Sequence, residues 1–230
     1  MLRFNLGQQY QGKIEWLSNF KPQSKILYDN SLRKLKRFMD IFIIVATVPL
    51  WAPVYVMCVI LIKLESPQGS VHFTQERTGK NGKRFRMYKF RTMVPNAEEL
   101  KVELQHLNEL KWPDFKIAND PRITHIGRFL RKTSLDELPQ LFNVLQGDMT
   151  LVGPRPTSFP METYAIWQTE RLSVTPGITG LWQIIGRNKT EFHERLQLDI
   201  AYIERCCLWL DMVIIWRTIT SLSTKQSVGC

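Results

Sequence analysis

The chain has 230 residues, 44% of them hydrophobic, and a formal net charge of +10 from 31 Lys and Arg against 21 Asp and Glu. That length holds one sizeable domain or two small ones, with an ordinary core and no need for disulfides. The charge points to polyanionic partners, meaning phosphates, nucleic acid or an acidic membrane surface, and does not choose among them. Cys58, Cys206, Cys207 and Cys230 form no C-x-x-C pair, and His72, His106, His125 and His193 lack metal-ligand spacing. A reducing compartment and no zinc site are therefore expected.

Residues 1–35 read as an N-terminal arm of mixed character, with Trp16, Leu17 and Phe20 among polar neighbours and no assigned function. From Ile41 to Ile62 runs an uncharged apolar stretch of 22 residues, long enough to cross a bilayer. About 40 residues precede it and no small-residue cleavage pattern follows, which argues against a signal peptide. Both flanks are basic: Arg33, Lys34, Lys36 and Arg37 before it, Lys63 and then Lys80, Lys83 and Arg84 after it. Cytoplasmic flanks carry the excess of Lys and Arg, so a plain span would leave one of them on the wrong side. A helix over 36–64, broken near its middle by Pro49 and Pro53 and leaving the membrane on its side of entry, satisfies both.

Residues 65–222 are expected to form one further domain, with a tail over 223–230. Val71–Phe73 and Phe85–Phe90 are expected to be strands of a small β-hairpin, because Asn81-Gly82 is a hairpin turn signal. Gly79 to Lys83 lacks the spacing of a phosphate-binding loop. The second strand alternates basic and aromatic residues, as single-strand nucleic-acid binders also do. Beside a membrane anchor, that strand is read as facing lipid headgroups or a phosphorylated substrate, and no nucleic-acid partner is expected. Asn96 to Lys111 reads as one amphipathic helix with Leu100, Leu104, Leu107 and Leu110 on its stripe and a stop at Pro113. Glu191 to Leu222 reads as mainly helical, packed internally or resting on the membrane.

The most informative stretch is Leu130 to Pro156. Asp136 and Glu137 stand together between Arg131 and Arg155, and Pro139 places a helix start at about Asp136. An alternative register makes Ser134 the N-cap and Glu137 its capping-box partner. Leu138, Leu141, Phe142 and Leu145 would bury one face of that helix. A carboxylate can attack phosphorus and split one hard transfer into two easier ones, while arginine forks and Mg²⁺ neutralise phosphate oxygens. Prolines on each side of Arg155 restrict its backbone.

Lys36-Arg37-Phe38-Met39-Asp40, the apolar run with Ala52-Pro53, Phe73-Thr74-Gln75-Glu76-Arg77, Tyr88-Lys89-Phe90-Arg91-Thr92-Met93, Ser134 to Leu145, Gly147-Asp148-Met149, Val152-Gly153-Pro154-Arg155-Pro156, Pro176 to Gly180 and Gly186-Arg187-Asn188 occur in one order. Together they resemble the bacterial sugar transferase family, the monotopic polyprenyl-phosphate phosphoglycosyl transferases, from about Lys36 to Leu222. The resemblance implies an α+β, mainly α, membrane-associated fold with a reentrant hairpin. It implies transfer of a sugar-1-phosphate from a UDP-sugar to undecaprenyl phosphate at the cytoplasmic face of the bacterial inner membrane, initiating capsule, exopolysaccharide, O-antigen or glycan synthesis.

Carried over by residue, Asp136 matches the nucleophile and Glu137 its partner. Arg131, Arg155 and Lys89 match phosphate-binding positions, and Glu162, Asp199 and Arg187 resemble further active-site positions. Mg²⁺ is expected near Asp136. The helix break is expected at Ala52-Pro53, where Ala52 stands in for a serine whose hydroxyl would bond the backbone. The short N-terminal arm resembles the small form of the family. A homo-oligomer is compatible with the sequence, which does not disclose the sugar. Three competitors have sequence signatures: a non-enzymatic membrane-anchored basic scaffold, indifferent to carboxylate substitution; a nucleic-acid binder; and a Mg²⁺-dependent phosphohydrolase using the same acids.

Overall fold

The computed structural model describes residues 12–20, 30–109, 117–186 and 191–223. In chain order the α-helices and strands are α1 (Asn30–Ala46), α2 (Val48–Glu65), β1 (His72–Thr78), β2 (Arg84–Phe90), α3 (Ala97–Glu103), α4 (His125–Thr133), α5 (Gln140–Gln146), β3 (Thr150–Val152), β4 (Gly177–Thr179), α6 (Leu181–Ile185), α7 (Phe192–Arg205) and α8 (Leu208–Ser223). The chain is mainly helical with two small sheets. Strands β1 and β2 pair antiparallel, from His72 opposite Phe90 to Thr78 opposite Arg84, and β3 pairs parallel with β4. The hairpin turns where expected: Asn81 and Gly82 both take positive φ, 55° and 79°, which asparagine and glycine tolerate better than most residues.

The apolar run folds as two helices, and their junction differs from the expected one. The interruption falls at Thr47, and Pro53 lies inside the unbroken α2. Pro49, in the first turn of α2, has no N–H for the carbonyl four residues back and its ring crowds that carbonyl, so α1 ends before it. Side-chain donors reach the carbonyls of the last turn of α1, where Ile43 O also keeps its helical bond from Thr47 N. The Thr47 hydroxyl donates to Ile43 O at 2.7 Å, and the Trp51 indole donates to Ile44 O at 3.0 Å. A hydroxyl-to-backbone bond thus exists at the junction, supplied by Thr47 rather than lost at Ala52.

Both helices rest on the same body. Lys36 pairs with Asp211, Arg37 donates to the carbonyls of Val144 and Leu145, and buried Asp40 accepts from the Thr150 hydroxyl. On α2, Tyr55 packs against Phe90 with ring centroids 4.9 Å apart, while Cys58 and Ile62 bury with Phe90 and Leu130. The opposite faces are bare: Phe38, Phe42, Leu50 and Leu64 are between 61% and 74% exposed. Among the described residues α2 is the one helix long and apolar enough to cross a membrane.

Beneath the helices lie two further clusters. One joins Ile44, Phe85, Met87, Val144 and Met149; the other packs Val152, Leu181, Leu198, Tyr202, Leu210 and Ile214 beneath Ile14 and Leu17 of the arm. The last long helical region divides its apolar residues: Ile214 is buried, whereas Trp209 and Trp216 of the same helix are exposed.

Two helices expected from apolar spacing are shorter or turned differently. The region after Asn96 is a seven-residue helix followed by a 3₁₀ turn over Gln105–Leu107, with Ala97 its buried residue and Leu107 exposed. The leucine stripe therefore has little to pack against; Leu110, Lys111 and Pro113 lie outside the described residues. Helix α5 begins at Gln140, four residues after Asp136, and buries Gln140, Asn143 and Val144. Phe142 and Leu145 are on its exposed side. Phe142 meets the edges of Trp51 and Tyr55 on α2 instead, at 6.1 and 5.6 Å.

Candidate active site

Helix α4 ends at Thr133, and Ser134 reverses the chain with φ 60° and ψ 15°. A 3₁₀ turn, Leu135–Glu137, follows and carries the acid pair. Leu135 and Leu138 pack against the cluster around Leu130, which fixes the turn on both sides. Ser134 makes no side-chain cap bond here, so the capping-box register is not adopted. Glu137 spends its carboxylate elsewhere.

Its partners come from β2 and from the loop after β3. Lys89 Nζ donates to Glu137 Oε1 at 2.9 Å and lies 3.7 Å from Asp136 Oδ2. Arg155 closes on the same carboxylate with both ends of its fork: Nη1 donates to Oε2 at 3.1 Å and Nη2 to Oε1. Bidentate arginine–carboxylate pairs fix orientation as well as charge. Arg155 is positioned by two close strands. A Cβ on Gly177 would fall 2.1 Å from Gly153 N, and Gly177 N donates to Pro154 O at 2.9 Å, so glycine at 177 is what lets these loops touch.

Lys89 is positioned by Asn143, a fully buried residue of α5. Its Oδ1 accepts from Tyr88 N at 2.9 Å and its Nδ2 donates to Arg86 O at 2.8 Å. One side-chain amide thus replaces a strand partner for β2 and locks that strand against the helix after the acid pair.

These contacts set two different electrostatic states. Burial would raise the Glu137 carboxyl, but the cations Arg155 and Lys89 outweigh it and hold it well below the usual carboxylate range. For Asp136, burial dominates: with Lys89 pulling the other way and the Glu137 charge adding to the push, its pKa is raised. Glu137 is the fixed anion that aims two cations. Asp136 is the less encumbered carboxylate.

The remaining predicted residues sit at varying remove. Arg131 Nε donates to Thr92 Oγ1 at 2.9 Å, and its charge favours ionised Asp136 without an ion pair to it. Asp199 is not against the acid pair. It is buried at 1% exposure, accepts from Arg171 Nη2 at 2.7 Å, and that same nitrogen donates to the backbone carbonyl of Arg155. Burial, opposed by Arg171, lifts Asp199 to about 6. Glu162 is exposed on the 3₁₀ turn Met161–Thr163, and among the described residues it makes no hydrogen bond or ion pair to either acid. Arg187 lies outside the described residues.

Three functional neighbours escaped the sequence reading. Asn143 was hidden within an apolar helix, where only its failure to match the leucine periodicity marked it. Arg77 donates to Pro156 O and Ser158 Oγ beside the Arg155 loop, and burial, with Arg155 and Arg84 adding and Glu137 opposing, lowers it to about 10. Arg171 carried no local signal.

Among the described residues no three His, Cys, Asp or Glu side chains converge as a metal site. Mg²⁺ typically binds one or two carboxylates and completes its shell with water and substrate phosphates. The pair fits a site of that kind. Glu137 is occupied by Arg155 and Lys89, so of the two acids Asp136 is the one that could offer an oxygen to such an ion.

The family model described as bacterial sugar transferase matches residues 31–225, which includes the acid pair and each residue that positions it. The chain belongs to the bacterial sugar transferase family. It is 44% identical over 210 residues to the galactosyl transferase CpsE of Streptococcus agalactiae, covering 88% of this chain and 46% of that protein. It is also 44% identical over 197 residues to the undecaprenyl-phosphate galactose phosphotransferase of Salmonella typhimurium, covering 84% and 41%. The exopolysaccharide production protein ExoY of Rhizobium meliloti is 38% identical over 196 residues, covering 83% and 86%. The chain thus spans less than half the length of the first two and nearly all of the third.

Proposed function

We propose that this transferase moves a sugar-1-phosphate from a UDP-sugar to undecaprenyl phosphate, through a phosphosugar held covalently on Asp136. The observation that carries the reading is the unequal treatment of the two acids. Both oxygens of Glu137 are held by Arg155 and Lys89, so it is fixed as a spectator anion, while Asp136 has Lys89 at 3.7 Å. In the first half-reaction an Asp136 oxygen attacks the phosphorus bearing the sugar. The phosphoanhydride bond to UMP breaks, and UMP leaves with the bridging oxygen. In the second, a phosphate oxygen of the lipid attacks that phosphorus and the carboxylate departs unchanged. Lys89 and Arg155 lie where charge on the transferred phosphoryl group needs neutralising. Mg²⁺ held by Asp136 would supply further neutralisation of the diphosphate.

The same reading places the chain on the cytoplasmic face of the bacterial inner membrane. Helices α1 and α2 enter and leave by one side, and the product starts an exopolysaccharide or related glycan. Support comes from the bare apolar faces of α1 and α2, from basic residues on both flanks, and from the names of the relatives. The direct test is mass spectrometry of the protein with a panel of UDP-sugars and Mg²⁺ but no lipid, quenched rapidly. One sugar should leave an adduct of its phosphate mass on the peptide containing Asp136, with near-stoichiometric UMP. Transfer proceeding with no adduct at any time point would refute the covalent step.

A further inference from the structure

At the other end of α5 from the acid pair lies a second chemically distinct place. A cavity of about 260 Å³ opens between the first turns of α1, the loop after α5, the hairpin tip and the start of α8. It shares no residue with the acid pair and its clamp. Four basic side chains line it, Arg33, Lys36, Arg37 and Lys80, against two acids, Asp40 and Asp211. Both acids are already engaged. Asp211 holds Lys36 and the Tyr202 hydroxyl, the latter at 2.6 Å, and Asp40 holds the Thr150 hydroxyl and, at 3.4 Å, Leu151 N. The surplus is positive and comes from two separate elements, α1 and the hairpin tip. Burial and the Arg33 charge both push the Lys80 ammonium below its ordinary value, as expected for cations converging on one space.

The walls between the charges are apolar, with Leu32, Met149, Val152, Val174 and Leu208 among them. The two helices that form the cavity carry bare rings on their outer faces: Phe38 at 64% exposure on α1 and Trp209 at 70% on α8. Tryptophan rings settle at the headgroup level of a bilayer, and an exposed phenylalanine beside them suits the acyl side. The volume lies below the range of about 300–1,000 Å³ usual for drug-sized ligands, which suits a headgroup and the root of its chains rather than a nucleotide sugar.

We propose that this cavity binds the phosphate headgroup of an acidic phospholipid, as a site separate from the one that carries the transfer. Basic pockets between helices on the cytoplasmic side are suited to such headgroups. The inference rests on the membrane placement proposed above, and the test separates the two.

The probe is short-chain dihexanoyl phosphatidylglycerol, kept below its micelle concentration and titrated calorimetrically into the full chain in non-ionic detergent. This lipid needs no bilayer, so it reads the cavity whether or not α1 and α2 enter a membrane. One lipid should bind per chain, with dihexanoyl phosphatidylcholine and inorganic phosphate each at least about tenfold weaker. Lys80→Gln should weaken phosphatidylglycerol binding about fivefold and the Arg33→Gln, Lys80→Gln pair about 25-fold, while Lys80→Arg keeps it. Saturating UDP should leave it unchanged. Phosphate binding as tightly as the lipid would make this an anion site only and overturn the lipid assignment. Equal binding of the choline lipid, displacement by UDP, or indifference to the substitutions in proteins of unchanged melting temperature would each overturn it too. Should the double variant fail to fold, the single change at the hairpin tip decides.

Discussion

Asp136 and Glu137 are neighbours in sequence but stand in opposite electrostatic settings, which gives them separable signatures. Asp136→Asn keeps the side chain's size and removes the anion proposed as nucleophile, so transfer should fall by about 10³-fold or more with the melting temperature preserved. Undiminished turnover in that variant would reassign the nucleophile. The raised pKa of Asp136 adds a pH test. A nucleophile must be ionised, and burial holds this carboxyl protonated to a higher pH than the ordinary value of 3.8. Activity should therefore fade on acidification while the pH is still above that value. Glu137, displaced downward, stays ionised through the same window and contributes nothing to that limb. The acid limb of kcat/KM reports the free enzyme and is the measurement to make. A limb at or below 3.8 would contradict the buried setting. Arg155→Lys keeps one charge but loses the fork on Glu137, and activity should drop about 10²-fold, since a single ammonium cannot hold both oxygens. Activity equal to that of wild type would show that charge alone suffices.

At the scale of elements, what was legible in the sequence depended on whether local chemistry or tertiary packing set the outcome. The hairpin was legible because Asn81 and Gly82 supply positive φ on the spot. The meeting of the acid pair with Arg155 was legible because Asp136 and Glu137 stand between Arg131 and Arg155 in the sequence, charges that attract one another. The orientation of α5 was not. Apolar spacing predicted a buried face through Phe142 and Leu145, yet the buried positions include two amides, Gln140 and Asn143, because Asn143 serves the backbone of β2. Phe142 instead packs on α2, a neighbour that periodicity within α5 cannot reveal. Asn143→Ala should test that role. It strands the half-buried Tyr88 N–H and Arg86 carbonyl, costing about 1–3 kcal/mol on unfolding and loosening Lys89 along with the strand. A loss below about 1 kcal/mol would mean that β2 is held by other contacts. The helix junction was displaced for a similar reason. Two prolines were visible, but the break falls beside Pro49, where the Thr47 hydroxyl and the Trp51 indole reach the carbonyls that end α1. Pro49→Leu should accordingly shift the segment towards spanning, read by accessibility tags on both sides of it, and Pro53→Leu should shift it less. The reverse order would return the break to Ala52-Pro53.

For the molecule as a whole, the decisive feature is that the family match over residues 31–225 contains every side chain proposed for the first half-reaction, on elements that hold one another. Lys89 is aimed by Asn143 of α5. Arg155 is aimed by Glu137, by the Gly153–Gly177 approach and by Arg171 backed with Asp199. None of these supports waits on a lipid. The donor half-reaction should therefore run in detergent without undecaprenyl phosphate, and run backwards as well. Labelled UMP added to the enzyme with the correct UDP-sugar should exchange its label into that sugar nucleotide, because UMP oxygen can attack the phosphosugar on Asp136 and release the carboxylate. Chelation by EDTA should abolish the exchange and Mg²⁺ restore it, since the diphosphate then loses and regains part of its charge neutralisation. Asp136→Asn should be silent in the same assay. A transferase that joined donor and lipid in one displacement would exchange nothing until lipid was added. A phosphohydrolase would release sugar phosphate to water, and a scaffold would show no dependence on the acid at all. Exchange that needs lipid, or that survives in EDTA, would remove the covalent route or the metal from this mechanism.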